Sequence, residues 1–198
     1  AAPRERILED VDLLVDYVKS LCPAPLFLAG HSMGGNIALC YRLTREAPVG
    51  YLAWSPWLRL ANPPSLVFSY LEKFIPFLSH EDTHPVGIGR KLHENAGFDP
   101  LRHNKISYQT LSDVLSASKL ILNRTPENHS PVLLCHGASD QVCTVSASRE
   151  LARHLGADCT YVEFPNCRHE LYSSPLRQTL FETSISFINR ILAENPLR

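Results

Sequence analysis

The feature that most constrains this chain is a six-residue stretch, Gly30-His31-Ser32-Met33-Gly34-Gly35. It follows a short apolar run, Pro25-Leu26-Phe27-Leu28, and precedes a helical pattern, Asn36-Ile37-Ala38-Leu39-Cys40-Tyr41-Arg42-Leu43. Strand, G-x-S-x-G and helix in that order make a nucleophile elbow, a sharp turn that presents a serine hydroxyl at the carboxyl end of a strand. Gly30 and Gly34 are expected to remove Cβ atoms that would clash in the turn, and Gly35 to let the helix lie close to the sheet. The N–H of Met33, at the helix N-terminus, is placed to donate to an oxyanion. The competing reading is a glycine-rich turn without chemistry. The rest of the chain decides between them.

Taken in order, residues 4–20 read as a helix, with Ile7, Val11, Leu14, Val15 and Val18 as one apolar stripe. Pro23 and Pro25 stop it. Residues 25–30 form a strand, 33–44 the elbow helix, and 49–54 a second buried strand. Residues 131–136 form a third strand, which opens on a proline. A helix over 144–155 follows, closed by Gly156, then a strand over 159–164 and a last helix over about 176–193. Alternation of this kind predicts a parallel sheet in an α/β fold.

About 75 residues between strands 49–54 and 131–136 break the alternation, too many for a structureless loop in a compact domain. The insert has helical patterns of its own over 65–78 and 108–122, separated by a polar, histidine-rich stretch, 79–105. This predicts a helical cap over the carboxyl edge of the sheet, with the core in two pieces, 1–56 and 131–198, around a cap over 57–130. Leu66 and Phe74 are candidates to line an acyl-chain pocket. The alternative is that the apolar side chains of the cap bury one another.

A serine hydroxyl is a poor nucleophile without a general base, itself oriented by a carboxylate. In this architecture the acid and then the histidine follow the serine along the chain, each on a loop after a strand. Asp140 lies after strand 131–136, in His136-Gly137-Ala138-Ser139-Asp140, and His169 after strand 159–164, in Cys167-Arg168-His169-Glu170. Asp158 and Glu163 begin or sit within the last strand and fit less well. His31 is expected to point away from Ser32 and brace neighbouring loops, His136 to pack or hydrogen-bond, and His154 to lie on a surface helix. His80, His84 and His93 read as part of a solvated loop, so no metal is expected. Asn128-His129-Ser130 matches a glycosylation sequon, but no secretory signal accompanies it. Cys143 is read as a packed small hydrophobe, with substrate contact as the alternative.

Composition narrows the partners. The chain has 198 residues, 44% of them hydrophobic, and a formal net charge of −1, which gives no reason to expect nucleic acid. No apolar run approaches the roughly 18 residues of a membrane span. The charged N-terminus leads into an amphipathic helix and does not read as a signal peptide. Six scattered cysteines without a C-x-x-C pair point to a reducing compartment. The expected location is cytoplasmic, with the cap as the surface for peripheral contact with membranes or lipid droplets.

Several of these motifs together resemble the monoacylglycerol lipase family, within the lysophospholipase and serine-aminopeptidase-like group of α/β-hydrolases. They are Gly30-His31-Ser32-Met33-Gly34-Gly35, the Ser55-Pro56 turn into Leu60-Ala61-Asn62-Pro63, and Asp99-Pro100-Leu101. His136-Gly137-Ala138-Ser139-Asp140 with Cys143, and Arg168-His169-Glu170, complete the set. The resemblance runs from about residue 7 to the C-terminus. It implies Ser32 as nucleophile, Asp140 as orienting acid and His169 as base. It also implies a cap that receives one acyl chain, a small lipid ester as substrate, and no cofactor. One departure stands out. The family's oxyanion loop, a His-Gly motif after an early strand, should precede the first helix and is not found there. Only four of the eight strands that the resemblance implies can be placed. The N-terminal strands are therefore expected to be missing from this chain, with Met33 left as the oxyanion donor.

The reading is an esterase of single-chain lipid esters, acting through an acyl-enzyme. A peptidase of the same fold is the first rival, with Glu81 or Asp82 available to hold a substrate amine. A truncated hydrolase without activity is the second.

Overall fold

The computed structural model describes residues 4–46, 48–62, 83–85, 105–124 and 127–194. The chain opens with helix α1 (Arg4–Leu21), strand β1 (Phe27–His31), helix α2 (Met33–Arg42) and strand β2 (Gly50–Trp54). Two short strands follow, β3 (Thr83–Pro85) and β4 (Lys105–Ser107), and then helix α3 (Tyr108–Asn123). Strand β5 (Val132–Gly137), helix α4 (Val145–Leu155), strand β6 (Cys159–Phe164) and helix α5 (Arg177–Glu194) complete the order. The predicted helix over 65–78, with Leu66 and Phe74, lies outside the described residues.

The main sheet runs β1-β2-β5-β6, every pair parallel. Parallel strands are covered on both faces, and their side chains sort by period two. On β5, Val132 and Leu134 join a core with Leu8, Leu39, Tyr41, Ala117 and Leu151, beneath α1 to α4. The alternate residues Leu133 and Cys135 face the other way, into a core with Phe164, Leu180, Phe187 and Ile191 of the α5 side. A third cluster caps the carboxyl end of the sheet and holds Trp57, Leu60, Leu111, Val114, Val142 and Cys143. Helix α3 therefore serves two clusters. Its Ala117 and Ile121 pack into the sheet-face core, and its Leu111 and Val114 into the third.

Two expectations change. Within the stretch read as a polar loop, Thr83–Pro85 pairs antiparallel with Lys105–Ser107. A three-residue ladder is too short to leave a periodic signal in the sequence. The stripe on α1 holds at Val15, which is buried, and at Ile7, Val11 and Val18, which are half-buried, but not at Leu14. Leu8 and Val15 are buried, whereas Leu14 is 57% exposed. Positions 7 and 14 lie one residue, or about 100° around the helix, from positions 8 and 15, so the pattern alone does not choose between the two rows. Polar contacts choose. The phenol of the buried Tyr41 donates to Asp12 Oδ1 at 2.7 Å, and Arg45 pairs with Asp12 and Glu5 at 3.1 and 3.0 Å. These turn the Leu8–Val11–Val15 row inward and leave Leu13, Leu14, Tyr17 and Leu21 on the surface. Strand β1, at the end of the sheet order, pairs only with β2 among the described residues.

One buried cation ties the amino-terminal ends of the elements together. Arg42, 2% exposed, donates through Nε to the Ser130 carbonyl at 2.7 Å and through a terminal nitrogen to Asp158 Oδ2 at 3.2 Å. Asp158 also accepts from His129 Nδ1 at 2.8 Å. Both carboxylates passed over as triad members thus have other work, since Glu163 pairs with Arg149 at 2.6 Å. Arg42→Ala would leave Asp158 without its cation and lose the packed stem of the side chain. It should lower the unfolding free energy by about 3 kcal/mol, read from urea denaturation.

Candidate active site

Ser32 is the residue between β1 and α2, and it is the N-cap of α2 with φ 56° and ψ −116°. Left-handed backbone is costly for a residue with a Cβ, by about 1–3 kcal/mol, and persists only where its surroundings fix it. Here they do. The Ser32 N–H donates to the Trp54 carbonyl at 3.0 Å, and the Ser32 carbonyl accepts from the N–H groups of Asn36 and Trp57 at 3.1 and 2.9 Å. A Cβ on Gly30 would overlap the Gly34 carbonyl, so only glycine allows the helix to start against the strand. Gly34 differs from expectation. A Cβ there would meet nothing within 4 Å, and its part in the close approach is played by its carbonyl.

The three residues proposed from the sequence meet at the carboxyl end of the sheet. His169 Nε2 lies 2.9 Å from Ser32 Oγ, and His169 Nδ1 lies 2.8 Å from Asp140 Oδ2. His169 is buried, at 4% exposure, and the Asp140 carboxylate is wholly so. Asp140 is held in four ways. Its Oδ1 accepts from the N–H groups of Val142 and Cys143 at 2.7 and 3.0 Å, and its Oδ2 from His169 and from His136 Nε2 at 3.0 Å. Burial alone would raise the proton affinity of this carboxyl. The bonds from His136, His169 and Cys143 outweigh it and hold the group well below the usual carboxylate range. An ionised Asp140 makes His169 carry its proton on Nδ1 and turn a bare Nε2 to the serine.

The Met33 N–H opens α2, in the first turn, where helix geometry supplies no intrahelical acceptor. Cys143 is fully buried in the third cluster and bridges to Leu60. Among the described residues no group of three His, Cys, Asp or Glu side chains could hold a metal. Leu66, Phe74, His80, His93, Glu81 and Asp82 lie outside the described residues, as does the side chain of His84.

Sequence reasoning missed two neighbours. His31 braces the loop of His169, as expected, but it does not point clear of the site. Its Nε2 meets the His169 carbonyl at 3.1 Å, and the two rings lie 4.8 Å apart, with Tyr172 edge-on to His31. Burial pushes the His31 imidazole below its ordinary pKa, so it stays neutral and donates. Asn36 is the second. It faces inward from α2 and donates to the Trp57 carbonyl at 2.8 Å and to Ser118 at 2.9 Å, tying the elbow to α3. A polar residue directly before the apolar run Ile37-Ala38-Leu39-Cys40 was the available signal.

Comparison with known proteins bears on the fold and the family of the chain. The family described as serine aminopeptidase, S33 (Hydrolase_4), matches residues 2–175. The Schizosaccharomyces pombe protein named "Putative monoglyceride lipase" is 32% identical over 161 residues, 75% of this chain and 43% of its own length. The monoglyceride lipase of Saccharomyces cerevisiae is 25% identical over 191 residues, 84% of this chain and 61% of its own. The chain thus spans roughly half of these relatives. Among solved structures, the monoacylglycerol lipase of Paleococcus ferrophilus superposes with a TM-score of 0.82 at 24% identity, over 97% of this chain and 76% of that one. A soluble variant of the S. cerevisiae enzyme, solved with a substrate analog, gives 0.79 at 21% identity, over 96% and 71%. Fold, residue order and family match point the same way: the chain belongs to the serine aminopeptidase S33 family of α/β-hydrolases.

Proposed function

We propose that this chain carries the catalytic centre of a serine esterase that hydrolyses single-chain lipid esters, of the monoacylglycerol lipase or lysophospholipase type. The observation that carries the reading is the unbroken run Ser32 Oγ–His169–Asp140, at 2.9 and 2.8 Å, on three loops that each follow a strand. In the reaction, Ser32 Oγ attacks the ester carbonyl carbon while its proton passes to His169 Nε2. The imidazolium faces the ionised Asp140, and the Met33 N–H donates to the oxyanion. The tetrahedral intermediate collapses to an acyl-enzyme, and His169 returns the proton to the departing alcohol. Water then attacks the acyl-enzyme with His169 as base, releases the acid and restores Ser32.

The substrate class is supported by the lipases among the relatives. The family's description as serine aminopeptidases favours a second reading, a peptidase on the same fold.

In the full chain, Ser32 should be labelled covalently by a fluorophosphonate, and Ser32→Ala should not be. Labelling that persists in the alanine variant would move the nucleophile elsewhere. Asp140→Asn should lower kcat by up to about 10⁴, because His169 loses control of its tautomer. A change of only a few-fold would remove Asp140 from the triad.

Each methylene buried in an apolar pocket contributes about 0.8 kcal/mol, so kcat/KM should climb with the length of a single acyl chain until the pocket that receives it is full. Monoacylglycerols or lysophospholipids should be turned over faster than triacylglycerols and aminoacyl amides. Faster cleavage of the aminoacyl amide would select the peptidase reading, and a preference for triacylglycerol would refute a site shaped for one chain.

A further inference from the structure

We infer that His136 is a positioning residue for the acid of the site: beside His169, it holds Oδ2 of the Asp140 carboxylate through Nε2–H, in a tautomer set by Ser148. The inference rests on the esterase reading above.

His136 is the fifth residue of β5 and is completely buried. A neutral imidazole in that setting has one donor and one acceptor nitrogen to satisfy. This one is bound at both nitrogens. Its Nδ1 lies 2.7 Å from Ser148 Oγ on α4, and its Nε2 lies 3.0 Å from Asp140 Oδ2 and 3.3 Å from the Cys143 carbonyl. Both neighbours of Nε2 are acceptors, so Nε2 carries the proton. Nδ1 is then bare, and the Ser148 hydroxyl, itself fully buried, donates to it. Ser148, His136 and Asp140 form a directed chain of donors that ends on the same oxygen that His169 uses.

Two consequences follow for the reaction. The carboxylate cannot rotate, because Oδ1 is held by two backbone N–H groups and Oδ2 by two imidazoles. Its Oδ2 therefore stays on the Nδ1 side of His169 through the proton transfers. The His136 donor also spreads part of the negative charge of Asp140. This limits how tightly His169 holds a proton, so the base stays free at lower pH. The titratable groups that face the two imidazoles are Asp140, Cys143, Glu163 across the ladder from His136, and His31 and Glu170 beside His169.

The test uses the full chain and counts active sites by fluorophosphonate labelling, so that misfolded protein drops out of every rate. His136→Leu keeps the volume and removes the donor. It should lower kcat per labelled site by about 10- to 100-fold, the usual cost of a hydrogen bond to a charged group, with KM changed by less than about two-fold. It should also move the acidic limb of kcat/KM to higher pH, because an Asp140 with one donor fewer binds the His169 proton more tightly. His136→Gln, whose amide N–H replaces Nε2–H, should restore both. Ser148→Ala should give a smaller loss in the same direction, and it decides the matter if the leucine variant yields no labelled sites. Imidazole ¹⁵N spectra of the resting protein should show His136 as the Nε2–H tautomer. A leucine variant with wild-type kcat per site and an unmoved acidic limb would overturn the role of His136 alone. A wild-type protein that Ser32-directed reagents never label would overturn the esterase reading and the kinetic role with it.

Discussion

The site depends on keeping one carboxylate ionised where no water reaches it. Burying an unpaired charge costs several kcal/mol, and the group would take up a proton if its oxygens were unsatisfied. Asp140 avoids this with four N–H donors, two from its own loop and two from imidazoles. Those donors also build the site. The bonds to Val142 and Cys143 close the loop after β5, and that loop is what Leu60 and Ala61 pair against. The bond to His169 anchors the loop after β6. The orientation of two histidines refers back to this anion.

How much of this could be read from the sequence follows from what each signal depends on. The inner strands β2 and β5 were legible because each is buried on both faces and so reads as an unbroken apolar run, such as Val132-Leu133-Leu134-Cys135, whereas the outer strands β1 and β6 are only partly buried and were placed by their position between helices. Ser32, Asp140 and His169 were legible because parallel topology places each member after a strand, a rule that needs only chain order. The face of α1 was legible only in part. Its two apolar rows differ by one residue, and the choice falls to Tyr41 and Arg45, remote in sequence from Asp12. His31 was read as a loop brace pointing away from Ser32, and it braces the loop but lies against the His169 ring; His136 was read as packing or hydrogen-bonding, and it does hydrogen-bond, with Asp140 the partner that the sequence did not name. Each touches the site through a residue more than three positions away, and nothing in a lone histidine reveals which carbonyl or carboxylate the fold will bring to it.

Distance across the sheet explains the remaining details. Neighbouring strands stand about 4.8 Å apart, so β1 and β6, three steps apart in the order β1-β2-β5-β6, are separated by about 14 Å. An imidazole spans much less than that, so the loop carrying His169 has to lean back over the ends of β5 and β2 to meet Ser32. Two features make room. A Cβ on Gly137, the last residue of β5, would overlap the carbonyls of Cys167 and Arg168, so glycine there lets the loop pass. Ser55, just past β2, takes φ 42° and turns the chain aside, while its N–H donates to the Cys135 carbonyl at 2.8 Å. The leaning loop is then fastened where it crosses. Ser139 N–H donates to the Cys167 carbonyl at 2.9 Å, and His31 holds the His169 carbonyl from the far side. Gly137, ahead of Asp140, and His31, ahead of Ser32, therefore solve one geometric problem from opposite ends of the sheet. That is why the two motifs, more than 100 residues apart in the chain, have to be read together.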